Sequence, residues 1–243
     1  METFGHLSPA APNPVSVIIP CHDGERYVAE TILSVLQQDL GRAEIIVVDD
    51  GSTDRTRETV QAFGESVRYL HQPRGGAARA RNLGVGHSTR PLLAFLDADD
   101  LWPEHALRSL AAPLARDPSL GMVVGQMEQF VSPELPREDQ ARFHFPRGAS
   151  LARLCGSVLL RRSEFDRVGG FSPTLETGEF MDWILRAEAL GVRSVSVPEL
   201  VLRRRLHRLN HGVLRRDARH DYLRVIKAAL DRRRAAAEGA VGS

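Results

Sequence analysis

Asp97, Asp99 and Asp100 follow directly on the apolar run Pro91–Leu96. Carboxylates this close repel one another unless a cation joins them. A hard divalent ion does so through oxygen ligands and keeps positions for phosphate. The plainer alternative is a solvated turn that caps a helix near Pro103. A second acidic pair, Asp49-Asp50, ends the run Glu44–Val48 and leads into Gly51-Ser52. A carboxylate there can accept a hydrogen bond from a nucleobase N–H or a ribose hydroxyl. It can equally belong to a strand-to-helix turn in which Gly51 takes unusual dihedrals and Ser52 or Asp54 caps. Gly75-Gly76 then open a segment through Asn82 that carries Arg79 and Arg81. Backbone N–H groups at a helix start favour anions and Arg matches phosphate geometry, whereas an Ala face packed on a sheet leaves both arginines in solvent.

The second half offers fewer candidates. Glu176, Glu179 and Asp182 gather at a predicted helix start, and the last two, three apart, can share a face. His207 stands among arginines and reads by itself as part of a solvated basic face. Cys21 and Cys155 make neither a disulfide framework nor a zinc site.

The elements that must position these residues alternate regularly from 15 to 100. Val15–Pro20 and Glu44–Val48 read as buried strands, and Val67–His71 and Pro91–Leu96 as a third and fourth. Between them fall a helix with the stripe Val28, Ile32, Val35 and Leu36, capped by Asp23, a helix over Arg55–Phe63, and the Ala/Arg helix through Leu83. That alternation predicts an α/β fold, a mostly parallel sheet with helices on both faces and ligands at the carboxyl ends of its strands. Both acidic groups fall there.

Beyond this the spacing predicts a helix from Pro103 to Arg116, a strand over Gly121–Val131, a surface loop over 132–150 and a short strand at Val158–Leu160. A helix over Glu179–Leu190, an edge strand over Val195–Leu202 containing Pro198, and a basic helix over Asp217–Arg233 with a fraying Ala/Gly tail complete the reading. A net charge of +1 gives no global field for nucleic acid or a membrane. No apolar run approaches the roughly 20 residues of a membrane span, and no leader is evident. The expectation is a cytoplasmic protein, with peripheral attachment to the inner membrane face through the basic helix left open.

Pro20–Gly24, Glu44–Asp54, Gly75–Asn82 and Leu96–Asp100 resemble, in order and spacing, the donor half of the family 2 glycosyltransferases, which share the Rossmann-like GT-A fold. The likeness covers about 14–102, then more loosely to about 212. It implies a flexible lead-in over 1–14, a donor half over 15–102, an acceptor-side half over 103–212 and a basic helix and tail over 213–243. By this resemblance Pro20 and Asp23 line the base pocket, Asp23 standing where the family has Asn. Asp50, with Asp49 behind it, binds base or ribose, and Arg81 lies near the donor. Asp97 and Asp99 form the D-x-D pair that holds ribose and a Mg²⁺ or Mn²⁺ on the diphosphate.

Val168-Gly169-Gly170-Phe171 resembles the family's segment beneath the acceptor site, and reads otherwise as a tight turn before a core Phe. The family's Gly-Glu-Asp stretch supplies the catalytic base; here Gly178-Glu179-Phe180-Met181-Asp182 places Phe180 at the usual aspartate, leaving Glu179 and Asp182 as equal candidates. Arg205–Asn210 resembles the Arg-x-His-x-x-Asn stretch, which makes His207 a candidate for metal or diphosphate. The implied activity is sugar transfer from a nucleotide-diphospho-sugar, with inversion, to a saccharide, peptide, lipid or small-molecule acceptor, without nucleic acid or an integral membrane segment. The rival is a module that binds sugar nucleotides without turnover. A nucleotidyltransferase fits less well, since Cys21–Glu25 is no Gly-rich, Lys-containing phosphate loop.

Overall fold

The structure, a computed structural model, describes residues 14–140, 148–151, 153–208 and 219–241. Most of the expected lead-in, the middle of the 132–150 loop, Asn210 and Asp217 lie outside the described residues.

Strands β1 (Val15–Cys21), β2 (Glu44–Asp50), β3 (Arg68–Gln72) and β4 (Leu92–Phe95) are laid in the order β3-β2-β1-β4, all parallel. The alternating side chains of β1 explain why helices cover both faces. Val15, Val17, Ile19 and Cys21 enter one apolar cluster with α1 (Val28–Leu36) and α4 (Ala106–Arg116). Ile18 enters the other, with Ala78, Ala80 and Val85 of α3 (Ala77–His87). Helix α2 (Thr56–Gln61) links β2 to β3.

The same sheet continues through the second half. It adds β5 (Met122–Val131), β6 (Ser150–Leu151), β7 (Val158–Arg161) and β8 (Ser194–Leu206). β7 runs antiparallel to β4, β5 antiparallel to β7 and β6, and β8 parallel to β5, so the sheet is mixed but mostly parallel, as expected. Helices α5 (Arg137–Gln140), α6 (Arg162–Val168), α7 (Glu179–Ala189) and α8 (Arg219–Val241) complete the fold.

Several expectations need correcting. Asp23 does not cap α1, whose first turn begins at Tyr27 without a side-chain cap. The helix near Pro103 starts at Ala106, and α6 and β6 were not read in the sequence. β8 runs on to Leu206, its last residues pairing with Met127–Val131 of β5, and Pro198 falls where the register with β5 shifts between Ser196 and Leu200. The Ala/Gly tail continues α8 as helix to Val241.

Candidate functional site

The acidic corner forms where β4 stops. Leu96 donates to Ile18 and is buried, after which Asp100 N–H turns back onto the Asp97 carbonyl at 3.0 Å. Helix α1 braces this turn from below: Thr31 Oγ1 lies 2.9 Å from both the Ala98 and Asp100 carbonyls. Asp97 is left half-exposed, with its side chain 49% accessible, and Asp99 is 27% accessible. Asp100 is buried, and burial together with the charges of Asp99 and Asp97 raises its carboxyl well above the usual range.

Arg203 and Arg205 of β8, and His207 just past its end, stitch the strand to this turn. Arg203 and Leu101 exchange backbone hydrogen bonds of 2.8 and 3.0 Å. Arg205 donates from its backbone to Asp100 Oδ1 and from Nε to the Asp99 carbonyl, both at 2.9 Å. His207, buried against the Tyr27 ring, brings Nε2 to 2.8 Å from Asp99 Oδ2. The sequence-predicted residues Asp97, Asp99 and His207 are therefore brought to one corner.

Arg81 joins that corner to the second half. Its guanidinium is buried between Asp97, 2.6 Å from Nη2, and Glu179, 2.5 Å from Nη1. Burial works against its charge, but the carboxylates of Asp97 and Glu179 outweigh burial and hold it protonated. The next residue, Asn82, clasps the backbone of Phe171 at both its N–H and its carbonyl, 2.9 and 2.8 Å away. Gly170 lies so close that a Cβ there would sit 2.8 Å from Asn82 Oδ1.

The other acidic pair, Asp49-Asp50, lies apart from this corner. β1 lies between β2 and β4, so the two acid-tipped strands are not neighbours. Asp49 accepts from Ser52 N–H at 2.8 Å and from the Tyr69 hydroxyl at 2.6 Å, closing its own turn. Asp50 accepts from Gln72 Nε2 and the N–H groups of Gly75 and Gly76 at 2.7 to 2.8 Å. Asp50 thus ties the two N–H groups just ahead of α3 to the end of β2. Asp23, at φ 47°, accepts from Thr53 N–H, and that hydrogen bond holds its exposed carboxyl below the ordinary range. Pro20 lies in β1 opposite Val48.

Glu179 and Asp182 part company on α7. Glu179 meets Arg81; Asp182 is buried between Arg186, 2.9 Å away, and Arg232 of α8, 3.6 Å away. Arg186 also donates to the carbonyls of Val168, Gly169 and Gly170, so Asp182 belongs to the brace of that turn. Phe180, at the position where the resembled family has its acid, packs beside Phe171 within the aromatic core. The Val168–Phe171 segment is a turn before a core Phe, with Phe171 almost wholly buried.

The donor set at the corner, two carboxylates and an imidazole, suits a divalent cation whose remaining ligands come from water and phosphate. No three such side chains converge into a ready-made shell among the described residues. The sequence did not single out Tyr27, Glu134 or Cys155. Tyr27 donates to Glu134 at 2.5 Å, and Cys155 lies in the Arg81 environment. The signal for Arg205 was present in the Arg-x-His spacing.

An open α/β sheet with acids at the end of β4 and an arginine bridge to the second half defines a GT-A architecture. Residues 16–173 match the profile described as "Glycosyl transferase family 2", and the chain belongs to that family. Glycosyltransferase GlyG of Streptococcus pneumoniae serotype 4 is 37% identical over 100 residues, 40% of this chain and 33% of that protein. The uncharacterized glycosyltransferase alr2836 of Nostoc sp. is 38% identical over 100 residues, 40% of this chain and 31% of that protein. The matched region thus spans about a third of these relatives. S. aureus TarS 1–349 in complex with UDP has the same fold, with TM-score 0.69, 18% identity, and coverage of 90% of this chain and 64% of that one. Mannosyltransferase PcManGT from Pyrobaculum calidifontis, in complex with GDP-Man and Mn²⁺, gives TM-score 0.68, 22% identity, and coverage of 92% and 66%.

Proposed function

We propose that this chain transfers a sugar from a nucleotide-diphospho-sugar to an acceptor nucleophile, with inversion at the anomeric carbon. The observation that carries the reading is Arg81, which joins Asp97 on the donor side to Glu179 on the acceptor side. In support, one solved relative holds UDP and another GDP-Man with Mn²⁺. Asp97, Asp99 and His207 are the residues that would hold Mn²⁺ or Mg²⁺. Bound there, the cation supplies positive charge against the diphosphate. Pro20 and Asp23 are assigned to the base pocket, Asp23 through the carboxylate oxygen not held by Thr53. Asp49 and Asp50 contribute by shaping the turn and the Gly75-Gly76 segment beside it. The donor half is assigned to 15–102 and the acceptor side to 103–212.

Glu179 is the better general base of the two candidates, since it alone touches the Arg81–Asp97 pair. Arg81 fixes its orientation, and the proton of the acceptor passes to its carboxylate as the nucleophile attacks opposite the leaving diphosphate. Thermal-shift measurement with UDP or GDP, with and without Mn²⁺, tests the donor and metal; no stabilisation by any combination sinks the reading. Asp99→Asn is expected to abolish the metal-dependent part. Glu179→Gln is expected to reduce transfer by about a hundredfold or more, and unaltered transfer by that variant withdraws the base assignment.

A second reading is favoured by Phe180, which replaces the family's acid with a buried ring. A module that binds sugar nucleotides without turnover would show Mn²⁺-dependent binding and release no free nucleoside diphosphate. No described helix is long and apolar enough to cross a membrane. The chain is assigned to the cytoplasm, and its peripheral attachment to a membrane face is supported by α8, which exposes Leu223, Ile226 and Leu230 beside Arg224 and Lys227. Flotation with anionic vesicles tests that attachment.

A further inference from the structure

We propose that Arg205 is the positioning residue of the acidic corner, setting the Asp99 carboxylate against His207 and holding both for the diphosphate-bound cation. The inference rests on the sugar-nucleotide reading above and goes beyond it by naming what fixes the corner's geometry. Two observations carry it.

The first is the number of directions in which Arg205 is held. Its side chain is 4% accessible, and the guanidinium lies 4.8 Å from the ring centres of both Tyr27 and Phe130. Nη2 reaches Glu30 of α1 at 2.5 Å and Nη1 lies 3.4 Å from Ser132 Oγ. Two aromatic faces and two polar anchors leave the planar cation little freedom, which is the circumstance in which a hydrogen bond can orient its partner.

The second is where the remaining donors point. Nε binds the Asp99 carbonyl and the backbone N–H binds Asp100 Oδ1. A single residue thus fixes the backbone of one aspartate and the side chain of the next. With Asp100 tied back, Asp99 is the member of the pair whose side chain reaches His207, two residues past Arg205 in the chain. Strand periodicity places Arg203 and Arg205 on one face of β8, and His207 follows at the same spacing just past its end, so each meets the turn in sequence. The Tyr27 ring that covers Arg205 also packs on His207, its centre 4.8 Å away, so clamp and imidazole share a wall.

Lysine separates positioning from charge. Arg205→Lys retains a cation for Glu30 but lacks the rigid fork whose separate Nε and Nη2 hold the Asp99 carbonyl and Glu30 in fixed directions. Its crystal structure is expected to show Asp99 Oδ2 and His207 Nε2 drawn apart from their 2.8 Å contact. The Mn²⁺ concentration giving half of the UDP- or GDP-dependent thermal shift is expected to rise about tenfold or more, equivalent to about 1.4 kcal/mol. Glu30→Gln, which removes only an outer anchor, is expected to leave that concentration within about twofold of the parent. An Arg205→Lys protein with the contact intact and an unchanged Mn²⁺ requirement overturns the proposal. If the unaltered protein gives no Mn²⁺ response, the metal reading fails, and the Asp99–His207 distance in Arg205→Lys still decides the positioning role. Hydrogen exchange needs no variant: the Arg205 amide is expected to be protected together with those of Leu101 and Arg203. Rapid exchange at Arg205 alone contradicts the clamp.

Discussion

Arg81 Nη1 and Glu179 Oε1 lie 2.5 Å apart although 98 positions separate the two residues in the chain. One stands on α3, packed against β1 and β2; the other opens α7, in the second half of the fold. The same guanidinium holds Asp97 on its other side, so one buried cation serves two carboxylates. Removing it takes the paired charge from Glu179, whose side chain is only 14% accessible, which is costlier than losing a surface pair. Arg81→Met is expected to lower stability by about 3–5 kcal/mol, and Arg81→Lys by less, since the charge remains and only the fork is lost. Urea titrations of the three proteins check this. Equal midpoints for the parent and Arg81→Met contradict a structural bridge.

Glu134 supplies the pH dependence. Burial alone would raise its carboxyl, but hydrogen bonds from the Tyr27 and Ser132 hydroxyls prevail and hold it at about 2, below the ordinary 4.5. A depressed carboxyl stabilises the fold fully above its unfolded value and ceases to do so as pH falls through its folded value. The window is therefore from about 4.5 down to about 2. Because the side chain is 29% accessible, solvent screening limits the contribution to about 1 kcal/mol. Glu134→Gln is expected to be less stable than the parent at pH 6, with the gap closing on acidification. A gap that stays constant down to pH 3 assigns the loss to packing instead.

Much of this arrangement was legible in the sequence. β1, β2 and β4 are buried on both faces, and such strands announce themselves as unbroken apolar runs. Their carboxyl ends then fix where Asp97 and Asp99 must stand. What stayed hidden was the use made of each polar side chain. Asp50 looked like a ligand because nothing local satisfies it; its partners, Gly75 and Gly76, arrive from the far side of β3. Glu179 and Asp182 share a helix start in the sequence, yet Arg81 and Arg232, from opposite ends of the chain, choose between them. Val195–Leu202 read as an edge strand because Pro198 cannot donate within a central ladder, and both the irregular register that accommodates Pro198 and the continued pairing to Leu206 are properties of the β5–β8 pair, not of the strand alone.

Gly84 sets how closely α3 approaches the sheet. A Cβ at this position would overlap Cγ2 of Ile18 and crowd Val48, both within the β1–β2 layer. Alanine favours a helix intrinsically, so the sign of Gly84→Ala depends on whether those neighbours can yield. Ile18 and Val48 are fully buried in the same cluster and have little room to do so. The variant is expected to lose about 1–3 kcal/mol, read as a lower melting temperature. Because α3 carries Arg81 and Asn82, the Mn²⁺ response with UDP or GDP is expected to weaken with it. A rise in melting temperature shows instead that the helix can shift outward.

Phe180 offers the sharpest test of how this chain departs from the family it belongs to. Returning an aspartate to that position reproduces the Gly-Glu-Asp pattern, so a reading from sequence alone expects greater activity from Phe180→Asp. The structure argues the reverse. The Phe180 ring is 7% accessible, packed 6.3 Å from Phe171, which in turn meets Trp183 and Phe95. An aspartate there removes the ring from the cluster and places a carboxylate among aromatic side chains. The loss of packing alone is worth about 3–5 kcal/mol, and burying the charge adds to it unless the group stays protonated. Phe180→Asp is therefore expected to be strongly destabilised and to transfer sugar no faster, whereas Phe180→Leu keeps much of the stability. Stability by urea titration and transfer by release of nucleoside diphosphate decide the matter together. A well-folded Phe180→Asp protein with increased transfer would show that α7 can turn this position toward the acceptor, and would transfer the role of base from Glu179 to the restored acid.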